Sequence, residues 1–202
     1  MGSFVLYSFS VMRQTSSQMQ RPTSGLVYLT VFASGMTSLA VELAVSRLIE
    51  PYFGTSNLVW ASIIGLILLY LTAGYAIGGR WADRSPYPAT LYGLIAWAAL
   101  AVGLIPFVAR PVLQVARQGW TDFNAGLLAG SFAAVLVLFS VPVTLLGCVS
   151  PFAIRLAVSD VTTSGGVAGR IYAISTAGSF LGTFLPVLVT IPYEDQDDAI
   201  RI

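Results

Sequence analysis

Five stretches of the chain, residues 22–41, 51–79, 85–109, 123–154 and 171–193, carry no charged side chain. A helix needs about 20 mostly apolar residues to cross the hydrocarbon core of a bilayer, and each stretch reaches that length. Backbone groups in lipid must bond to one another, so only helices or closed barrels can span. The runs are continuous rather than alternating, which is the pattern of helices and not of barrel strands. The expected fold is all-α: a polytopic membrane bundle of about five transmembrane helices.

Composition closes off other classes. Of the 202 residues only 9% are charged and 56% are hydrophobic, whereas a soluble domain carries about 25% charged residues. The net charge is +1 with no basic run, so no nucleic-acid partner is expected. There is no histidine, which removes the commonest general base and metal ligand. The single cysteine, Cys148, lies in an apolar stretch and reads as a small buried hydrophobe. No metal site, cofactor or catalytic residue is expected. An intramembrane hydrolase would need a nucleophile–base pair or a metal cluster, and the chain offers neither.

The chain divides into an N-terminal arm (1–24), a helical bundle (25–192) and an acidic tail (193–202). The arm reads as cytoplasmic rather than as a cleaved signal. Helices are expected near 25–49, 58–79, 88–109, 123–146 and 171–191. GGRWADRSP (78–86) should break the second helix, and Arg110 and Pro111 should end the third. Residues 110–122, with Arg117 and Trp120, read as an interfacial segment. Pro151–Ser159 reads as a separate short helix, and TTSGGVAG (162–169) as a flexible loop. No internal repeat is visible. Arg13, Arg21, Arg80, Arg84, Arg155 and Arg170 fall on one side and Arg47, Arg110, Arg117 and Arg201 on the other. That excess puts the N-terminus in the cytoplasm of a multi-pass plasma-membrane protein.

Three constellations stand out. In the first helix Ser34, Ser38, Glu42 and Ser46 recur at spacing four and share a face. A carboxylate in a membrane helix is costly and marks a candidate site, here Glu42 with Ser38 and Ser46 as substrate-binding candidates. Two readings are open: an ion pair that locks packing, with Arg110 as a candidate partner, or a group that handles a substrate or proton. The second constellation is GGRWADR (78–84), where Asp83 can cap the following helix between Arg80 and Arg84. With Arg155 and Arg170 these form a charge cluster at one end of the bundle, and Asp83 can pair with Arg155 or Arg170. The third is a set of glycine pairs at spacing four, Gly74/Gly78, Gly126/Gly130 and Gly178/Gly182, which let helices approach closely.

The segment GGRWADR resembles the cytoplasmic loop between the second and third helices of major facilitator transporters. More broadly, residues 34–65, GYAIGGRWADRSP (74–86), PVTLLGCVSPFAIRLAV (142–158) and AGRIYAISTAGSFLGTFLP (168–186) resemble the membrane domain of the fused major-facilitator/spermidine-synthase-like proteins. The likeness covers about residues 25–192 and implies part of a major facilitator half. In that family a cytoplasmic domain related to spermidine synthase follows the membrane helices. Here the acidic tail follows Pro192 and no synthase-like block is present, so aminopropyl transfer is not expected of these residues. The resemblance implies a non-enzymatic membrane module that anchors a synthase-like partner chain or handles a small, polyamine-like solute. The alternative is a structural subunit of a larger membrane complex.

Overall fold

The computed structural model describes residues 24–54, 56–122, 126–185 and 188. They form five long helices: α1 (Ser24–Phe53), α2 (Asn57–Arg84), α3 (Pro88–Asp122), α4 (Gly126–Ala157) and α5 (Ser164–Leu185). A 3₁₀ turn, Val161–Thr163, leads into α5. The N-terminal arm, the acidic tail and the side chains of Arg117 and Trp120 lie outside the described residues.

The helix ends follow local chemistry. Gly54, with φ of 74°, adopts the left-handed conformation that stops α1. Ser56 caps α2, its hydroxyl accepting from the Val59 N–H at 3.3 Å. Asp160 caps the 3₁₀ turn by accepting from the Thr162 N–H at 3.0 Å.

Four helices are long and apolar enough to cross a membrane: Gly25–Phe53, Asn57–Arg84, Pro88–Ala116 and Ala129–Ala157. By length and hydropathy the chain is a multi-pass helical membrane protein. Among the described residues α5 is not a fifth such span, because its first turns, SGGVAGR, are polar and its later ones hold further serines, threonines and glycines.

The expected breaks are not breaks. α2 runs through GGRWAD to Arg84, so Asp83 lies in its last turn and caps nothing that follows. α3 continues through Pro106 and Pro111, so residues 110–122 belong to it. α4 passes through Pro142 and Pro151 to Ala157, and residues 164–169 are the start of α5 rather than a loop. A glycine costs a helix only about 1 kcal/mol, and a proline frees one backbone carbonyl. In lipid nothing else competes for the remaining backbone groups, so tertiary packing decides where a helix ends.

Short connections make successive helices antiparallel. α1, α3 and α5 run one way, α2 and α4 the other. α4 is the central element and touches each of the other four. Of its apolar stretch 56% is buried, against 17% to 33% for the other three spans. One core cluster joins Val41, Val45 and Ile49 of α1, Ile63, Ile67 and Tyr70 of α2, Leu113 of α3 and Val135 and Phe139 of α4. A second packs Leu91 and Leu94 of α3 on Ala82, Cys148, Val149 and Phe152.

Two glycine seams hold parallel pairs of helices together. In the α1–α5 seam Gly178 lies against the Phe32 carbonyl and Gly182 against the Met36 carbonyl. There the Ser179 hydroxyl donates to the Gly35 carbonyl at 3.1 Å. In the α2–α4 seam Gly74 lies against the Thr144 carbonyl and Gly147, and Gly78 against Cys148. The two seams share the same spacing of close approaches. Phe32, Gly35 and Met36 of α1 answer to Thr144, Gly147 and Cys148 of α4. Gly178 and Gly182 of α5 answer to Gly74 and Gly78 of α2. Even the facing residue agrees: Gly35 meets Ser175, and Gly147 meets Leu71. α1 and α4 run in opposite directions, so the two seams point opposite ways.

Candidate functional site

Glu42 stands eleven residues before the end of α1, about 16 Å inside it at 1.5 Å per residue. Its direction follows from the helix. Val41, Val45 and Ile49 point into the core, while Phe32, Gly35 and Met36 face α5. Glu42 falls between these two stripes and is half-buried. The exposed stripe of Leu26, Leu29, Ala33 and Ala44 lies on the opposite side of α1, about 180° away. The carboxylate therefore faces the bundle and not the lipid.

Glu42 has no ion-pair partner among the described residues. Arg47, the nearest arginine in sequence, pairs instead with Glu50 at 3.8 Å, both largely exposed. Arg110 is exposed on α3 and does not reach Glu42. Ser46 turns its hydroxyl to the backbone carbonyl of Glu42 at 3.4 Å, not to the carboxylate, and Ser38 is half-buried on the preceding turn.

The charge cluster resolves into one pair and three free-standing cations. Arg155 Nε lies 3.2 Å from Asp83 Oδ1 in an ion pair that joins the ends of α4 and α2. Arg80, Arg84 and Arg170 are exposed at the same end of the bundle and make no ion pair among the described residues. Nearby, Trp81 packs edge-on against Phe152 with ring centroids 5.8 Å apart, which fixes the last turn of α2 on α4. The Asp160 carboxyl is held below its ordinary range by the backbone N–H of Thr162 and then by its hydroxyl.

Beside that pair lies a groove of about 440 Å³. Tyr75, Gly79 and Asp83 of α2 form one wall at spacing four. Pro151, Ile154 and Arg155 of α4 form the floor, and Ser164 and Tyr172 of α5 the other wall. The backbones of α2 and α5 do not pack on each other, and α4 closes the groove at its base.

Of the glycines named from the sequence, Gly74, Gly78, Gly178 and Gly182 are buried in the two seams, and Gly130 is buried in α4. The surroundings of Gly126 lie outside the described residues. Sequence reasoning missed the opposing glycines, Gly35 and Gly147, because each is a lone glycine with no spacing motif. It also missed Tyr75, Ser164 and Tyr172, which only the convergence of three helices brings together. Tyr70 was missed as well: its hydroxyl is buried in the core without a partner among the described residues.

Among the described residues no three metal-ligating side chains come together. No family model matches the sequence, and no curated protein or solved structure matches the chain. What can be stated of its class therefore rests on its own helices: it is a multi-pass, all-helical membrane protein.

Proposed function

We propose that the chain is a non-enzymatic membrane module, of the kind found in spermidine-synthase-like proteins, that handles a small cationic, polyamine-like solute at Glu42. The observation that carries this is a carboxylate inside an apolar helix, facing the bundle, with no arginine in ion-pair reach among the described residues. Desolvating an unpaired carboxylate is costly, so a residue of this kind marks a solute or proton path. Ser38 and Ser46, one turn to either side, add hydroxyls that suit an amine.

The test is spermidine binding to the purified protein in lipid nanodiscs. Glu42→Gln should weaken it by at least about tenfold, the cost expected of a charge-assisted contact, with helicity and melting unchanged. Unchanged spermidine binding by a folded Glu42→Gln protein would falsify this reading.

A second reading is favoured by a different observation. Arg80, Arg84 and Arg170 are exposed together at one end of the bundle, around the Asp83–Arg155 pair. That end, read as cytoplasmic from the arginine excess, suits docking of a separate synthase-like chain or of a larger membrane complex. Gentle purification discriminates: a stoichiometric partner lost on combined Arg80→Gln and Arg84→Gln substitution supports anchoring, and a lone protein that binds spermidine supports solute handling.

A further inference from the structure

The groove between α2, α4 and α5 has a polar rim and an apolar shaft. Asp83 and Arg155 lie within two residues of the ends of α2 and α4, at the level where a helix leaves the hydrocarbon. Tyr75 lies eight residues before Asp83, and Tyr172 eight residues after Ser164. The groove thus reaches about 12 Å from the rim into the acyl layer. The backbones of α2 and α5 do not pack on each other, so the groove lies open between its two walls, with Tyr75 and Tyr172 near each other at its inner end.

The rim is charged, but its charges are only partly used. Arg155 meets Asp83 through Nε at 3.2 Å with its side chain half exposed, and a guanidinium carries further N–H donors on its two terminal nitrogens. That fork of donors matches two oxygens of a phosphate. The Asp83 carboxylate, whose side chain is largely exposed, has acceptor capacity for a further donor. The Ser164 hydroxyl donates to the Val161 carbonyl at 2.7 Å and retains acceptor capacity.

An anion alone would satisfy Arg155 and be repelled by Asp83. A cation alone would meet the reverse. A ligand with a phosphate and a primary amine a few bonds apart satisfies both, and the apolar shaft between Tyr75 and Tyr172 accepts a hydrocarbon chain below them. We propose that the groove is a binding site for a phospholipid whose headgroup carries both a phosphate and a primary amine. Its phosphate lies on the Arg155 fork, its ammonium on Asp83 and one acyl chain between the two tyrosines. The site is separate from Glu42 and does not depend on the role proposed for that residue.

The test is native mass spectrometry of the delipidated full chain in detergent, titrated with phosphatidylethanolamine, phosphatidylcholine, phosphatidylglycerol and chain-free glycerophosphoethanolamine. Phosphatidylethanolamine should bind at least about tenfold more tightly than the other two lipids, since each lacks the donating amine. Arg155→Gln should remove that binding, and Asp83→Asn should bring phosphatidylethanolamine and phosphatidylglycerol to similar affinity. Ile154→Trp, which fills the groove without touching either charge, should block binding and keeps the test decisive if Arg155→Gln does not fold. Equal binding of all three lipids by the unaltered chain, or retention of phosphatidylethanolamine by Ile154→Trp, overturns the site. Binding of glycerophosphoethanolamine as tightly as the lipid overturns the lipid assignment, because the chain then contributes nothing.

Discussion

Gly78 of α2 lies against Cys148 of α4 so closely that a Cβ on the glycine would stand 2.6 Å from the Cys148 Cα. That atom is backbone and cannot swing aside. In lipid the hydrophobic effect does not hold helices together, so such close packing is what joins them. Gly78→Ala should destabilise the protein by about 1–3 kcal/mol, the usual cost of overpacking. Gly182→Ala should do the same to the α1–α5 pair. Gly93 and Gly103 of α3 have open space around them, so alanine there should be neutral or stabilising by up to about 1 kcal/mol. Unfolding in mixed micelles, followed by circular dichroism, measures all four. Similar losses at seam and open positions would remove the packing explanation.

The Tyr70 hydroxyl gives a prediction of opposite sign. It is buried in the core without a partner among the described residues, and an unsatisfied hydroxyl costs about 1–3 kcal/mol relative to a satisfied one. Tyr70→Phe keeps the ring and removes the orphan. It should raise stability by about 1 kcal/mol, read as a higher midpoint in the same unfolding assay.

The Asp83–Arg155 pair should contribute little to stability. The Asp83 side chain is 74% exposed and that of Arg155 48%, and exposed pairs are worth less than about 1 kcal/mol. Asp83→Asn should therefore leave the melting temperature almost unchanged. A large effect of that variant on lipid preference, with none on melting, separates the two roles.

Asp160 supplies the acid dependence. Its folded-state carboxyl is depressed, chiefly by the Thr162 N–H, so it stabilises the turn before α5 in the ionised form. That contribution is complete above the ordinary aspartate value of about 3.9. It is lost as pH falls through the lower folded value. Hydrogen exchange of the Thr162 amide should accelerate, relative to its intrinsic rate, only below that range. Asp160→Asn keeps an acceptor and should abolish the acid response, whereas Asp160→Ala should loosen the turn at every pH.

The helical class was legible because lipid imposes it: a charge-free run of helical length has few other fates. The Asp83 partner was legible as a choice between Arg155 and Arg170, and the geometry selects Arg155. Helix boundaries were not legible. Gly78-Gly79, Pro111 and Pro151 are breakers in water, but here the chain continues through each of them. Paired glycines could be read from spacing. Gly35 and Gly147 could not, because their significance lies in the helix opposite. The groove was invisible for the same reason: Tyr75, Arg155 and Tyr172 are far apart in sequence and share no motif.

The glycine seams also set what can move. Within α1–α5 and within α2–α4 backbone meets backbone, so neither pair can slide without a clash. Across the junction between the pairs, α1 meets α4 through side chains such as Val41, Val45 and Phe139 rather than backbone against backbone. The mechanical parts of this protein are therefore two double-helix blocks rather than five independent rods, with α3 riding on α4. A shear of one block past the other, across the contacts of α1 with α2, α3 and α4 and of α5 with α4, would carry Glu42 with the first block and leave Asp83 and Arg155 together on the second.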